Sequence, residues 1–158
     1  MNRVRLATLA FSLIAGIALA GCASEDVPEP EAEELPLVSV GPAALRMEFA
    51  TTPAQRRRGL MHRASIDHDY GMLFVFDEPQ SMSFYMRNVR FPIDIGFFTA
   101  DGILREVYPM YPYDERSRQS ARDDLLFALE TSSEWFRKNG VKPGDRLDLD
   151  AVQRALNK

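Results

Sequence analysis

Apolar and polar side chains alternate along much of this chain, and the alternation predicts strands. In the segment ALRMEFA (residues 44–50), Leu45, Met47 and Phe49 share one face, whereas Arg46 and Glu48 share the other. A period of two residues is typical of a strand with one buried face. The same alternation, or an apolar run of strand length, recurs at residues 71–76, 82–88, 93–98, 103–110, 125–130 and 146–149.

A capping box predicts a short helix between the first two of these strands. Thr52 is placed to accept a hydrogen bond from the amide of Gln55, and the Gln55 side chain can bond back to Thr52. Pro53 suits the first helical position, and Gly59 provides a left-handed stop. Two more short helices are predicted, one at residues 131–140 with a capping box from Thr131 to Glu134, and one at residues 151–157.

Together these elements predict a mainly β (α+β) domain. About seven short strands with two or three short helices indicate a compact β-sandwich or jelly-roll-like fold, or a partly open barrel. The chain of 158 residues is long enough for one such domain, at residues 38–158, plus N-terminal segments. A single cysteine excludes an internal disulfide, so the domain depends on burial of apolar side chains.

The first 21 residues have the pattern of a secretory signal: Arg3 and Arg5 precede an apolar run over residues 6–20. As a helix this run would be roughly 22 Å long, short of the about 30 Å of a hydrocarbon core. Leu19-Ala20-Gly21-Cys22 then resembles the lipobox of bacterial lipoproteins, in which the cysteine receives a diacylglycerol and the chain is cut before it. The resemblance implies a lipoprotein signal peptide at residues 1–21 and lipidation of Cys22, and two or three acyl chains anchor a protein stably.

The residues after Cys22 suggest where such a protein would reside. Ala23 and Ser24 stand where an aspartate would favour the inner membrane, so the resemblance implies the periplasmic face of the outer membrane. An acidic, proline-rich linker follows at residues 22–37, with six acidic and no basic residues, and is expected to be extended.

From Val38 onward 17 basic and 17 acidic residues cancel, which gives no support for nucleic acid as a partner. The expected partners are the membrane, through the lipid anchor, and an envelope small molecule or protein.

Several segments together resemble the bacterial and archaeal family called domain of unknown function 192. They are QRRRGLMHR, GMLFVF, MSFYMRNVRFPIDIGFF, DGIL and FALE…NGVKPGD, in the right order over roughly residues 45–149. The resemblance implies a compact, mostly β domain of the sandwich or jelly-roll kind, and it implies no activity. The chain departs from the family pattern at Tyr85, Arg87 and Val89, where tryptophan, lysine and threonine are usual, and at residues 131–133, where a glycine is usual.

Polar residues within apolar strands are the candidate ligand-binding residues. Asn88, Asp94 and Glu130 are such groups, and burying one without a partner costs a few kcal/mol. Each can bond to backbone amides, which is the favoured interpretation, or the three can form a polar cluster that grips a small ligand at one mouth of the barrel. Arg56 is a candidate ion-pair partner for one of them, and Met86 shares the predicted strand face with Asn88. No catalytic residue, metal ligand or cofactor is assigned.

Two other functions remain open at this point. Asp94 and Glu130 would be the acid and base of a small hydrolase acting on envelope carbohydrate if they faced one cleft about 5–10 Å apart. Methionine thioethers are soft ligands for copper, so the third hypothesis is a periplasmic copper-binding protein. Its candidate ligands are Met61, Met72, Met82, Met86, Met110, His62, Asp67, His68 and Asp69, whose spacing matches no metal motif. The leading hypothesis is a small-ligand binding or protein-interaction module of the cell envelope, which binds and does not catalyse.

Overall fold

A computed structural model describes residues 34–158 of the chain. The signal peptide at residues 1–21, the lipidation site Cys22 and the linker up to residue 33 lie outside the described residues. Within residues 34–158, no helix has the length and apolar character needed to cross a bilayer.

The described part contains eight strands and three short helices. The strands are β1 (Leu37–Val40), β2 (Ala43–Ala50), β3 (Tyr70–Gln80), β4 (Ser83–Phe84), β5 (Ile93–Thr99), β6 (Leu104–Met110), β7 (Arg118–Gln119) and β8 (Leu125–Ser132). The helices are α1 (Pro53–Arg58), α2 (Trp135–Lys138) and α3 (Leu149–Leu156).

Six strands form one curled sheet that resembles half of a barrel, in the order β1-β2-β3-β8-β5-β6. Neighbouring strands are antiparallel except β2 and β3, which are parallel and are connected through α1. Strands β4 and β7 form a separate two-stranded sheet. The prediction of a mainly β domain with short helices is therefore confirmed.

A short segment before α3 connects the two edges of the curled sheet. The amide of Gly41, next to edge strand β1, donates to the carbonyl of Arg146 at 2.8 Å, and the amide of Leu104 in edge strand β6 donates to the carbonyl of Asp145 at 2.8 Å. Single bridges pair Val40 with Leu147 and Ile103 with Arg146. Residues 144–148, called here the closing segment, therefore satisfy backbone groups on both edges of the sheet.

Each face of the sheet has its own apolar core. One core packs α2 and α3 against the sheet through Trp135, Phe136 and Val152. The other core lies on the opposite face and contains side chains of β3 and β5 such as Phe74, Ile95 and Phe97. Side chains alternate between the two faces along each strand, so neighbouring residues belong to different cores.

The first helix forms as its capping box predicts. The hydroxyl of Thr52 accepts from the amide of Gln55 at 3.2 Å, and the amide of Thr52 donates to the side chain of Gln55 at 2.9 Å. Pro53 occupies the start of the helix, and Gly59 ends it with φ 44° and ψ −134°. The predicted capping box is confirmed. Gly59 ends the helix at the predicted position with a positive φ, but its ψ lies outside the left-handed helical region.

Four local predictions were wrong or incomplete. Residues 82–88 form a strand only at β4, because the chain turns at Arg87 and Asn88. The closing segment replaces the last predicted strand, and α3 starts from the cap Asp148. Thr131 lies within β8 and caps nothing, since α2 starts at Glu134 in a left-handed conformation with φ 64°. Strand β1 was not predicted at all.

Candidate functional site

A cavity of about 320 Å³ opens on the face of the sheet that α1 covers. Its walls come from α1 and the turn after it, from β3, from β4 and the loop that follows, and from one residue of β8. The residues that line it are Pro53, Arg56, Arg57, Arg58, Gly59, Leu60, Met61, Phe74, Phe76, Ser83, Phe84, Tyr85, Val89 and Glu130.

The walls are apolar because β3 points alternate side chains to this face. Phe74 and Phe76 are two residues apart, and Phe84 of β4 packs edge-to-face on Phe74 with ring centroids 5.0 Å apart. Leu60 and Val89, both buried, complete the apolar lining from the two flanking turns. Such a surface favours the apolar part of a small molecule.

Glu130 lies at the floor of this apolar cavity, and sheet register explains its direction. It pairs with Met72 of β3 and with Ile95 of β5, so all three side chains point to the same face. Glu130 is only 6% exposed, and its Oε2 atom has no hydrogen-bond partner among the described residues. Burial raises the pKa of its carboxyl from 4.5 to about 8, opposed only by the charge of Arg63. Glu130 is therefore a neutral acid at pH 7, with one O–H donor and one acceptor.

Arg63 does not neutralise Glu130 because another carboxylate holds it. The guanidinium of Arg63 donates to both carboxylate oxygens of Glu48, at 2.8 and 2.9 Å, and to the hydroxyl of Tyr70 at 3.0 Å. The Tyr70 hydroxyl in turn donates to Glu48 at 2.6 Å. Arg63, Glu48 and Tyr70 thus form hydrogen bonds with one another, and none of them bonds to Glu130.

Gly59 lets the end of α1 approach this acid closely. A Cβ atom at Gly59 would lie 3.7 Å from Oε2 of Glu130 and 3.3 Å from Cζ of Phe74. Its φ of +44° is also strained for other residues. The residue that stops the helix is therefore also part of the cavity wall.

Three consecutive arginines of α1 line the mouth, but only the first is held by the protein. The guanidinium of Arg56 donates to the carbonyls of Thr51 at 2.6 Å and Val75 at 2.7 Å, and it pairs with Asp77 at 3.6 Å. Arg57 and Arg58 are exposed, and among the described residues neither forms an ion pair. The mouth therefore presents two cations without counter-ions.

Two left-handed residues hold the flanking turns of the cavity together. His62 has φ 66° and Asn88 has φ 57°, and the amide of His62 donates to the carbonyl of Asn88 at 3.0 Å. Non-glycine residues with positive φ are uncommon and cluster at functional sites. The two turns beside the cavity are thus joined by a direct backbone hydrogen bond.

The structure brings together only two of the five predicted ligand-binding residues. Arg56 and Glu130 line the same cavity, without touching one another. Met86 is buried in the core and borders a second cavity, of about 230 Å³. Asn88 is exposed in a turn and lines neither of these two cavities. Arg56 binds Asp77 and backbone carbonyls, so it is not the expected ion-pair partner of Asn88, Asp94 or Glu130.

Asp94 points away from Glu130, which removes the geometric basis of the hydrolase hypothesis. In β5, Ile95 is the residue that pairs with Glu130, so its neighbour Asp94 projects to the other face of the sheet. Asp94 lines a separate, open cavity with Phe136 and Arg137. Burial raises the pKa of its carboxyl, and a hydrogen bond from the backbone amide of Glu134 opposes that rise. The two carboxyls therefore do not share a cleft.

The residues considered for copper have structural partners. Met72, Met82, Met86 and Met110 are buried in one apolar core, whereas Met61 lines the cavity. Asp67 and Asp69 both pair with Arg46 at 2.8 Å. Within residues 34–158 no three His, Cys, Asp or Glu side chains converge in a way that could hold a metal ion.

One serine–histidine contact also occurs at the surface. Nδ1 of His68 lies 3.1 Å from Oγ of Ser132, at an exposed position. Neither residue lines any of the three cavities.

Sequence reasoning missed most of the cavity. The sequence patterns indicate Gly59 only as a helix stop and give no role to Arg57 or Arg58, although all three residues line the cavity. The aromatic residues Phe74, Phe76 and Phe84 were interpreted as strand core. The only available signal was the acidic side chain of Glu130 at the end of an apolar run.

The fold and the cavity define a class: a small half-barrel β domain whose apolar cavity is covered by a six-residue helix. Residues 37–149 match the model of the domain of unknown function 192 family, described as "Uncharacterized ACR". The chain belongs to this family. No curated protein matches the chain.

Two solved structures share the fold at about one-third sequence identity. A crystal structure of a protein of unknown function from Novosphingobium aromaticivorans DSM 12444 is 32% identical, with TM-score 0.67, over 71% of this chain and 83% of that chain. A crystal structure described as a "putative transcription regulator" from Sinorhizobium meliloti 1021 is 33% identical, with TM-score 0.68, over 72% of this chain and 92% of that chain.

Proposed function

We propose that the protein is a lipid-anchored module of the cell envelope that binds a small, largely apolar molecule in the cavity beneath α1. The observation that supports ligand binding is Oε2 of Glu130, a buried polar atom without a partner at the floor of a 320 Å³ apolar cavity. Most buried polar groups in proteins are hydrogen-bonded, so an exception in the lining of a cavity calls for an explanation.

The free-energy cost of an unpaired buried polar atom favours a polar group on the ligand. Leaving a buried acceptor or donor unsatisfied costs about 1–3 kcal/mol. A hydroxyl or amide on a bound molecule would supply the missing partner of Glu130, and the apolar walls would bury the rest of the molecule. The cavity volume is at the lower end of the range of about 300–1,000 Å³ for ligand pockets.

The location rests on the lipobox-like Leu19-Ala20-Gly21-Cys22 and the acidic linker. Acylation of Cys22 would anchor the chain, and the extended linker would hold the domain away from the lipid headgroups. The equal numbers of basic and acidic residues from Val38 onward, 17 of each, do not favour nucleic acid as the partner.

A thermal-shift screen of residues 34–158 tests the binding proposal. These residues belong to one compact unit, and the Sinorhizobium protein, matched over 92% of its own length, crystallised as little more than this domain. A ligand at 100 times its dissociation constant should add about 2.7 kcal/mol of stability. Glu130→Leu should reduce the shift produced by a ligand that carries a hydroxyl or amide, because the variant lacks the hydrogen-bonding group. The domain should stay folded, because an apolar side chain leaves no orphan group.

Glu78→Leu is the matched control, since Glu78 is exposed on β3 and lines none of the three cavities. It should leave the thermal shift unchanged. A ligand that stabilises the Glu130→Leu protein as much as the wild type would show that the cavity floor does not bind it.

The anchor is tested on the full chain in a Gram-negative host. Mass spectrometry of the mature protein should find an acylated Cys22 as the first residue, and the protein should fractionate with the outer membrane. Cys22→Ser should lose the acyl mass and the membrane association. An unmodified thiol at Cys22 in the wild-type protein would refute the anchor.

A further inference from the structure

We infer that the ligand is an anionic amphiphile, with an acidic group at Arg57 and Arg58, an aromatic body among the phenylalanines, and a hydroxyl at Glu130. The inference rests on the proposed ligand-binding function and specifies the chemistry of the ligand. Three independent features of the cavity, at its mouth, walls and floor, support it.

The mouth selects for negative charge. Of the charged side chains that line the cavity, Arg56 already pairs with Asp77, and Glu130 is the only acid. Arg57 and Arg58 are the remaining two, both exposed and adjacent on α1. A guanidinium binds carboxylate or phosphate through parallel N–H donors, so two arginines without counter-ions form a receptor for an anion.

The walls select for an aromatic ring. Phe74 and Phe84 already pack edge-to-face at 5.0 Å, and Phe76 and Tyr85 also line the cavity. Aromatic rings prefer such offset or edge-to-face neighbours, which gives a ring an advantage over a flexible chain of the same area.

The floor selects for a group that both donates and accepts a hydrogen bond. A neutral carboxylic acid has one donor and free acceptor capacity, and Oε2 of Glu130 has no protein partner among the described residues. A phenolic or alcoholic hydroxyl satisfies both needs at once. An ammonium group would instead require Glu130 to ionise inside an apolar cavity, and it would have to pass two arginines.

Four probes of similar shape separate these features in calorimetric titrations of residues 34–158 at pH 6.5 and low ionic strength. They are 3-(4-hydroxyphenyl)propionate, 3-phenylpropionate without the hydroxyl, 4-ethylphenol without the acid, and tyramine with an amine in its place. The hydroxylated acid should bind most tightly, at least tenfold better than each of the others, and its affinity should fall with added salt.

The variant Arg57→Ala/Arg58→Ala should lower the affinity for the hydroxylated acid at least tenfold and leave the affinity for 4-ethylphenol unchanged. Arg105→Ala/Arg154→Ala is the matched control, because both arginines are exposed and line none of the three cavities. Glu130→Leu should remove the preference for the hydroxyl and keep the preference for the acid. Melting temperatures verify that every variant is folded.

The outcomes distinguish failure of this inference from failure of the proposed ligand-binding function. Tighter binding of tyramine or 4-ethylphenol than of the hydroxylated acid would overturn the anionic ligand and keep the binding function. Equal losses in the two double-arginine variants would overturn the role of Arg57 and Arg58. No binding of any probe at millimolar concentration would overturn both proposals.

Discussion

At the scale of single residues, Glu130 is the side chain whose surroundings fit its chemistry least. Its cross-strand partners Met72 and Ile95 are apolar, and it has neither a counter-ion nor a hydrogen bond at Oε2 among the described residues. The protein tolerates this because the carboxyl stays protonated, with a pKa raised by burial to about 8. The fold is thereby linked to pH through one buried proton.

The stability of residues 34–158 should fall as the pH rises from about 5 to 8. Glu130 has a pKa of about 8 in the folded protein against 4.5 ordinarily, so its stabilising contribution is complete below 4.5 and is lost as the pH rises towards 8. The slope within this window should approach 1.4 kcal/mol per pH unit. Urea denaturation at a series of pH values measures it.

Glu130→Gln should remove this slope, because glutamine has no proton to lose, and should make the domain more stable than the wild type at pH 8. Asp94→Asn is the comparison, since burial also raises the pKa of Asp94. That variant should retain the slope up to pH 8. An unchanged slope in the Glu130→Gln protein would mean that the acid is ionised or solvated in the native state.

Asn88 should resist substitution by a β-branched residue. Its φ of 57° lies in the left-handed region, which costs residues other than glycine, asparagine and aspartate about 1–2 kcal/mol. Asn88→Val should therefore lower the free energy of unfolding by about that amount, whereas Asn88→Gly should be close to neutral. Equal stability of the two variants would show that the turn relaxes out of this conformation.

Of the five candidate binding residues predicted from sequence, the structure places Glu130 and Arg56 in one cavity and the other three elsewhere. An acid within an apolar run is visible in the sequence, and so Glu130 could be found. Asp94 gives the same signal, but which face it points to depends on the pairing of Ile95 with Glu130. Strand register between distant segments is a tertiary property, and the sequence pattern of one strand does not contain it.

At the scale of elements, the packing of α2 against β5 depends on Gly96, a glycine within β5. A Cβ atom at Gly96 would lie only 2.6 Å from Cζ of Phe136, so the ring occupies the space that any other residue would need. Gly96→Ala should destabilise the domain by about 1–3 kcal/mol through overpacking. Chemical denaturation of the variant measures the effect.

Phe136→Leu in the Gly96→Ala background should restore part of that loss, because the smaller side chain makes room for the new methyl group. The double-mutant cycle should give a coupling energy of about 0.5–3 kcal/mol. Strictly additive effects would mean that the sheet moves away from α2 instead of clashing with it.

Elements with a strong local signal were predictable, and elements defined by distant partners were not. The capping box of α1 and the alternation in β2 and β5 depend on neighbouring residues, and both were found. The alternation at residues 82–88 arises because Met82, Phe84 and Met86 all turn towards the core. However, the chain pairs there with only two residues of β7, so the strand is short.

At the scale of the whole molecule, the closing segment determines whether the half-barrel is complete. Gly41 has φ +55°, and a Cβ atom there would lie 2.9 Å from Cβ and Cγ of Asp145. Gly41→Ala should therefore combine backbone strain with a clash against the closing segment.

Gly140→Ala isolates the strain, because Gly140 has φ +70° and nothing within 4 Å of its Cβ position. We expect a loss of about 1–2 kcal/mol for Gly140→Ala and a clearly larger loss for Gly41→Ala. Hydrogen exchange in the Gly41→Ala protein should report faster opening at the edges β1 and β6. Similar losses in both variants would argue that closure contributes little to stability.

Closure by a segment far along the chain also has a consequence for the order of folding. Strand β1 and its backbone partners in residues 144–148 are separated by most of the domain. Contacts so far apart in sequence form slowly, because the intervening chain must be looped or ordered first. The pairing of β1 with the closing segment is therefore expected to be a late step in folding.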